Sequence, residues 1–215
     1  MKLAVNKMHY PVSVLGHGHR VGIWVQGCSI HCSGCCSTDT WEFDQNRALE
    51  VETILDWCKE VSVGDLDGFT ITGGEPFDQP TGLLALLEAF MDWRESSGRS
   101  FDLLVYSGYP MRHIEKQYSA HLAFIDALVP EPFLHEKPTT KQYCGSDNQQ
   151  IICLTPRARA RYLSGEFVDS ASGIQVAVDK QGLWMIGIPR RGDLERMERE
   201  CRKRGLILDG VSWRC

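Results

Sequence analysis

Three short apolar runs, each stopping abruptly at a glycine-containing polar turn, constrain this chain more than any other feature. Val21 to Gln26 (VGIWVQ) stops at Gly27, Phe69 to Thr72 (FTIT) at Gly73-Gly74, and Leu103 to Tyr106 (LLVY) at Ser107-Gly108. Runs of this length, rich in β-branched and aromatic residues, read as buried strands. Apolar residues at helical spacing lie between them. Ala48 to Val61 carries Leu49, Ile54, Leu55, Cys58 and Val61, and Thr81 to Trp93 carries Leu83, Leu84, Leu86, Leu87, Phe90 and Met91 behind Pro80. The same reading predicts a helix over Met111 to Phe124 and further strands over Ile125 to Val129 and Gln150 to Leu154. Strands alternating with helices imply right-handed crossovers and a mostly parallel sheet. The units are too few for a closed eight-stranded barrel, so the expectation is an α/β fold with an open, partial (β/α) barrel. The glycine turns then fall at the carboxyl ends of the strands, where sites form in such sheets.

From Thr155 the texture changes. Thr155 to Gly173 is polar and arginine-rich and reads as a connector, with Arg157, Arg159 and Arg161 on a solvated face. Ile174 to Val178 and Leu183 to Ile188 flank the turn sequence Asp179-Lys180-Gln181-Gly182, which predicts a β-hairpin. A helix is expected after it, with Asp193 as N-cap, Leu194, Met197 and Cys201 on one stripe, and Gly205 as its end. The chain therefore divides into residues 1–155 and a C-terminal extension, residues 156–215.

The chemistry concentrates in Cys28-Ser29-Ile30-His31-Cys32-Ser33-Gly34-Cys35. Three thiolates in a C-x3-C-x2-C loop can hold three irons of a cubane cluster and leave the fourth open, whereas electron-transfer ferredoxins ligate all four. A structural zinc site and redox-active or unrelated thiols are the other readings of such a trio; zinc usually draws on two separated ligand pairs. The second site signal is Gly73-Gly74-Glu75-Pro76. Two glycines at a strand end let a ligand approach the backbone closely, and Glu75 offers a carboxylate to a cationic group.

Composition excludes some classes. The net charge of −5 gives no electrostatic footprint for nucleic acid. No segment reaches the roughly 18 consecutive apolar residues of a membrane span, and the N-terminus lacks a signal pattern. Nine cysteines, an odd number, fit a reducing compartment better than a disulfide framework, and the expectation is a cytoplasmic protein. The seven histidines form no ligand pattern and read as surface or loop residues.

With both motifs in the same order, the chain resembles the radical S-adenosylmethionine (SAM) enzymes. Within them it is most similar to the short activating enzymes of anaerobic ribonucleotide reductase, proteins of a 4Fe-4S single cluster domain, and more loosely to the pyruvate formate-lyase activases. The likeness runs over most of residues 20–155. It includes Trp24-Val25-Gln26-Gly27, Gly34, Phe77-Asp78-Gln79-Pro80, Tyr106-Ser107-Gly108-Tyr109 and Gly145-Ser146-Asp147-Asn148-Gln149.

The resemblance implies that Cys28, Cys32 and Cys35 hold a [4Fe-4S] cluster whose open iron binds SAM. It implies that Gly73, Gly74 and Glu75 receive the SAM amino group, with Ser107 and Asn148 as ribose or carboxylate contacts. The implied activity is hydrogen abstraction from a glycine of a protein partner, a glycyl radical enzyme, with an external electron donor such as flavodoxin or ferredoxin. A compact small-molecule enzyme of 7-carboxy-7-deazaguanine synthase size and a non-catalytic iron-sulfur protein are the rival readings. Three departures from the family pattern stand out. Cys36 follows the third cysteine where a bulky residue is common, residues 130–144 match loosely, and residues 156–215 have no counterpart in minimal activases.

Overall fold

The computed structural model describes residues 1–163, 173–179 and 182–213. Its main sheet has seven strands in the order β3-β1-β2-β4-β5-β6-β7. These are β1 (Lys2–Val12), β2 (Arg20–Val25), β3 (Ala48–Glu50), β4 (Gly68–Gly73), β5 (Asp102–Tyr106), β6 (Ala127–Val129) and β7 (Ile152–Cys153). The central four, β2, β4, β5 and β6, run parallel. The outer three are antiparallel to their neighbours.

The parallel core follows from the sequence. All six residues of β2 are buried, as a strand covered on both faces requires. The crossovers are α1 (Val51–Val61), α2 (Pro80–Ser97) and the pair α3 (Met111–Gln117) and α4 (Ser119–Leu122). Helix α1 buries Val51, Ile54 and Cys58. Helix α2 starts with Pro80 in its first turn, where the missing N–H costs nothing, and ends at Gly98 in the left-handed conformation. Phe69 of β4 stacks on Phe90 of α2 at 4.0 Å between ring centroids and meets Phe101 edge-on at 5.0 Å.

Several sequence expectations are corrected. Residues 48–50 form a strand, so α1 starts three residues later than its periodicity suggests. The Met111–Phe124 helix is broken in two near Tyr118. The final strand of the sheet is two residues long and antiparallel. The long N-terminal strand β1 is absent from the sequence reading. Its pairing with β2 shifts register between Val5 and Lys7 and again between His9 and Val12, which breaks the alternation that marks a strand.

The connector contains a helix, α5 (Pro156–Tyr162), capped by Thr155, whose side chain accepts from the Ala158 amide. Its Ala158 packs with Leu104, Ala127, Val129 and Cys144. Arg161 and Arg157 are not a solvated face. Arg161 Nη1 lies 2.6 Å from Asp102, and Arg157 pairs with Asp126 at 3.5 Å. Asp102 is fully buried and also receives Arg20 at 2.8 Å and the Tyr162 hydroxyl at 2.8 Å. Residues 164–172 of the expected connector lie outside the described ones.

Beyond them, β8 (Ile174–Asp179) and β9 (Gly182–Gly187) pair antiparallel. Ala177 and Ile186 pack with Val12, Val14, Leu15 and Trp24, and Trp184 meets Trp24 edge-on at 5.4 Å. Helix α6 (Asp193–Lys203) follows, with Gly192 rather than Asp193 at the N-cap position.

Candidate functional site

A cavity of about 540 Å³ opens at the carboxyl ends of the parallel strands. That volume is in the range of small-molecule sites, roughly 300–1,000 Å³. Cys28, Cys32, Cys35, Gly73, Gly74, Glu75 and Ser107 all line it. Asn148 does not: its Nδ2 donates to the Pro132 carbonyl at 2.8 Å, and the neighbouring Gln149 reaches the cavity instead.

The cysteine loop and the glycine turn are joined by their backbones. The Gly74 amide donates to Val25 O and the Glu75 amide to Gly27 O, each at 2.9 Å. A side chain at Gly74 would place its Cβ 2.1 Å from Gly27 O, a clash with backbone that cannot move aside. Gly73 has φ +96, a conformation that L residues rarely adopt. Both glycines are therefore demanded by the close approach of β2 and β4 as well as by any ligand.

Asp78 fixes the other flank of the loop. Its Oδ2 accepts the Ser29 amide at 2.7 Å, and its Oδ1 accepts the Ser29 and Tyr109 hydroxyls at 2.9 and 2.7 Å. Gln79 ties Ala4 and the Gln26 carbonyl together in the same region. The Phe77-Asp78-Gln79-Pro80 segment thus clamps the cysteine loop to the start of α2. Sequence reasoning noted the segment but assigned it no role.

Glu75 is 1 % exposed, and its carboxylate accepts from the Phe77 amide, the Ser107 hydroxyl and the Gly108 amide. Burial nonetheless pushes its pKa up to about 7, because loss of solvent outweighs these three donors. A cation placed beside it would restore the ionised form. Burial also raises the thiol pKa values of Cys28 and Cys32, so metal must displace their protons on binding.

His135, absent from the sequence-level site, also lines the cavity, with its Nδ1 2.9 Å from where a Cβ on Gly34 would stand. Gly34 has φ +74, so both its backbone and this crowding select glycine before the third cysteine. His31, within the loop, stacks on Trp41 at 4.6 Å. Cys36 lines the cavity as well, its thiol pushed up to about 11 by burial, which keeps it protonated. Among the described residues, no three His, Cys, Asp or Glu side chains are grouped to hold a single metal ion. Three soft sulfur donors on one short loop, beside a cavity with room for more than a metal, fit an iron-sulfur cluster with an open corner.

The model of the 4Fe-4S single cluster domain family matches residues 14–152. The chain belongs to this family. The anaerobic ribonucleoside-triphosphate reductase-activating protein of Enterobacteria phage T4 is 29% identical over 144 residues, covering 66% of this chain and 89% of that protein. The protein of the same name from Haemophilus influenzae is 29% identical over 148 residues, 67% of this chain and 94% of its own. The pyruvate formate-lyase-activating enzyme of Streptococcus mutans is 31% identical over 157 residues, 71% of this chain and 57% of that enzyme. Among solved structures, QueE from Escherichia coli is 22% identical, covers 50% of this chain and 53% of its own, and superposes with a TM-score of 0.39. The resemblance read from the motifs is met by a family named for a 4Fe-4S cluster and by relatives named as activating proteins and enzymes. No helix among the described residues is long and apolar enough to cross a membrane.

Proposed function

We propose that this protein is an activase that abstracts a hydrogen atom from a glycine of a partner protein, a glycyl radical enzyme, using an external electron donor such as flavodoxin or ferredoxin. The observation that carries the reading is the backbone joint between the cysteine loop and the glycine turn, Glu75 N to Gly27 O at 2.9 Å. It supports one composite site for a cluster and for SAM. When bound and reduced, the pair supplies a 5'-deoxyadenosyl radical; the protein's part is orientation and exclusion of water.

In this reading Cys28, Cys32 and Cys35 are the cluster ligands, and their loop is held in shape by Asp78. Glu75, with Gly73 and Gly74, receives the SAM ammonium, and the ionised carboxylate is the form that does so. Ser107 orients Glu75 by donating to Oε1 at 2.9 Å. Asn148 acts at one remove, by holding the Pro132 carbonyl between the cavity-lining residues Glu131 and Phe133. The open sheet is the partial barrel of the radical SAM type, residues 1–155 are the catalytic unit, and residues 156–215 are an extension to it. The names of the relatives support the nature of the partner.

The test is anaerobic reconstitution with iron and sulfide, reduction, and addition of SAM with a candidate glycyl radical enzyme. The expected result is 5'-deoxyadenosine together with a glycyl doublet in the electron paramagnetic resonance spectrum of the partner. Deoxyadenosine without a doublet on any encoded partner would reject the activase reading and favour a small substrate.

A further inference from the structure

The family match stops at residue 152, and the alignments to the short relatives take in 89% and 94% of those proteins but only 66% and 67% of this chain. Yet the described residues after β9 form part of the cavity wall, among them Ile188, Pro189, Leu194, Glu198 and Trp213. The tail is fastened directly to the cysteine loop. Ser212 Oγ donates to the Cys36 carbonyl at 2.7 Å, and Thr38 Oγ1 donates to the Ser212 carbonyl at 2.6 Å. Trp213 Nε1 then donates to Glu198 Oε1 of α6 at 2.8 Å. The indole is thus fixed at its backbone by the loop and at its edge by α6. With its N–H satisfied, what it has left to offer the cavity is π-surface, which suits a planar heteroaromatic ring or a cation.

We propose that Trp213 is a binding residue for the adenine ring of SAM, so that the C-terminal extension is part of the cofactor site. The inference rests on the reading above that the cavity takes SAM. That reading assigns the amino end of SAM to Gly73, Gly74 and Glu75 at the end of β4. The tail instead bonds to residues 36 and 38, just past the third cysteine. A ligand held by its amino end at β4 and extending past the cluster loop brings its base, not its methionine end, to Trp213. The family model itself ends at residue 152, before this ring.

The test uses the full chain, reconstituted with iron and sulfide but not reduced, so that no turnover occurs. Equilibrium binding of SAM, S-adenosylhomocysteine and methionine is measured for the natural protein and for Trp213→Ala, Trp213→Leu and Trp213→Phe, with iron content measured in each. The expected result is binding of SAM and S-adenosylhomocysteine weakened about tenfold in Trp213→Ala and Trp213→Leu, with methionine binding and iron content unchanged and Trp213→Phe close to the natural protein. SAM affinity within twofold of the natural protein in Trp213→Ala overturns the proposal. So does full recovery in Trp213→Leu, which fills volume without a π-face, or an equal loss with methionine. Iron lost from all three variants also overturns it, by making the tail a support of the loop alone. Failure of the natural protein itself to bind SAM rejects the functional reading, and this inference falls with it.

Discussion

Ser107 donates its hydroxyl to Glu75 Oε1 at 2.9 Å while the Gly108 amide donates to Oε2 at 2.7 Å, so one buried carboxylate gathers the ends of β4 and β5. These donors do not offset burial, and the carboxyl titrates near 7 against an ordinary value of 4.5. Between those two pH values the folded chain keeps a proton that the unfolded chain has released. Stability of the metal-free protein therefore falls as pH rises through this window, by on the order of 3 kcal/mol at most. Glu75→Gln should flatten that slope. Thermal midpoints of both proteins from pH 4.5 to 7.5 check it; parallel curves would remove Glu75 as the titrating group.

Asp102 is the acceptor for Arg20, Arg161 and Tyr162. Burial alone would raise its pKa, but the charges of Arg20 and Arg161 outweigh burial and hold it below the ordinary value. Asp102→Asn leaves the fully buried Arg20 guanidinium without its counter-charge and should cost about 3–5 kcal/mol. Urea unfolding measures it. A loss under 1 kcal/mol would mean that Arg20 finds adequate partners in Thr70 and the Phe69 carbonyl.

Asp78→Ala removes the acceptor of both Ser29 donors and of the Tyr109 hydroxyl. The fold should survive, since these bonds are exposed or half-buried rather than in the core. The reconstituted cluster should surrender its iron to a chelator several-fold faster than in the natural protein. An unchanged rate would show that the loop keeps its shape without the clamp.

Replacing Cys28, Cys32 or Cys35 singly by Ala should abolish cluster loading, whereas Cys36→Ala should load normally. The difference is one of place: Cys36 lies outside the C-x3-C-x2-C spacing, and its Sγ lies 3.9 Å from Ser37 Oγ. Iron and sulfide content per chain decides it, and full iron in Cys32→Ala would reject the ligand assignment.

The alternation of apolar runs and amphipathic helices determined the parallel core, because strands buried on both faces must be continuously apolar. The sequence likewise singled out Cys28, Cys32, Cys35, Gly73, Gly74 and Glu75, which the structure brings to one cavity, since thiolate loops and close backbone approach each tolerate few residue types. Tertiary structure decided the rest. Strand β1 escaped notice because register shifts interrupt its alternation. Arg161 looked like a surface charge because its acceptor, Asp102, is distant in sequence. His135 and Trp213 carry no local signal, and Asp78 lies in a noted motif without a role; each acquires its place only when strands, loop and tail are brought together. Asn148 and Gln149 show the same limit within one dipeptide: the family resemblance identified the segment, and only the turn of the backbone chose which of the two lines the cavity.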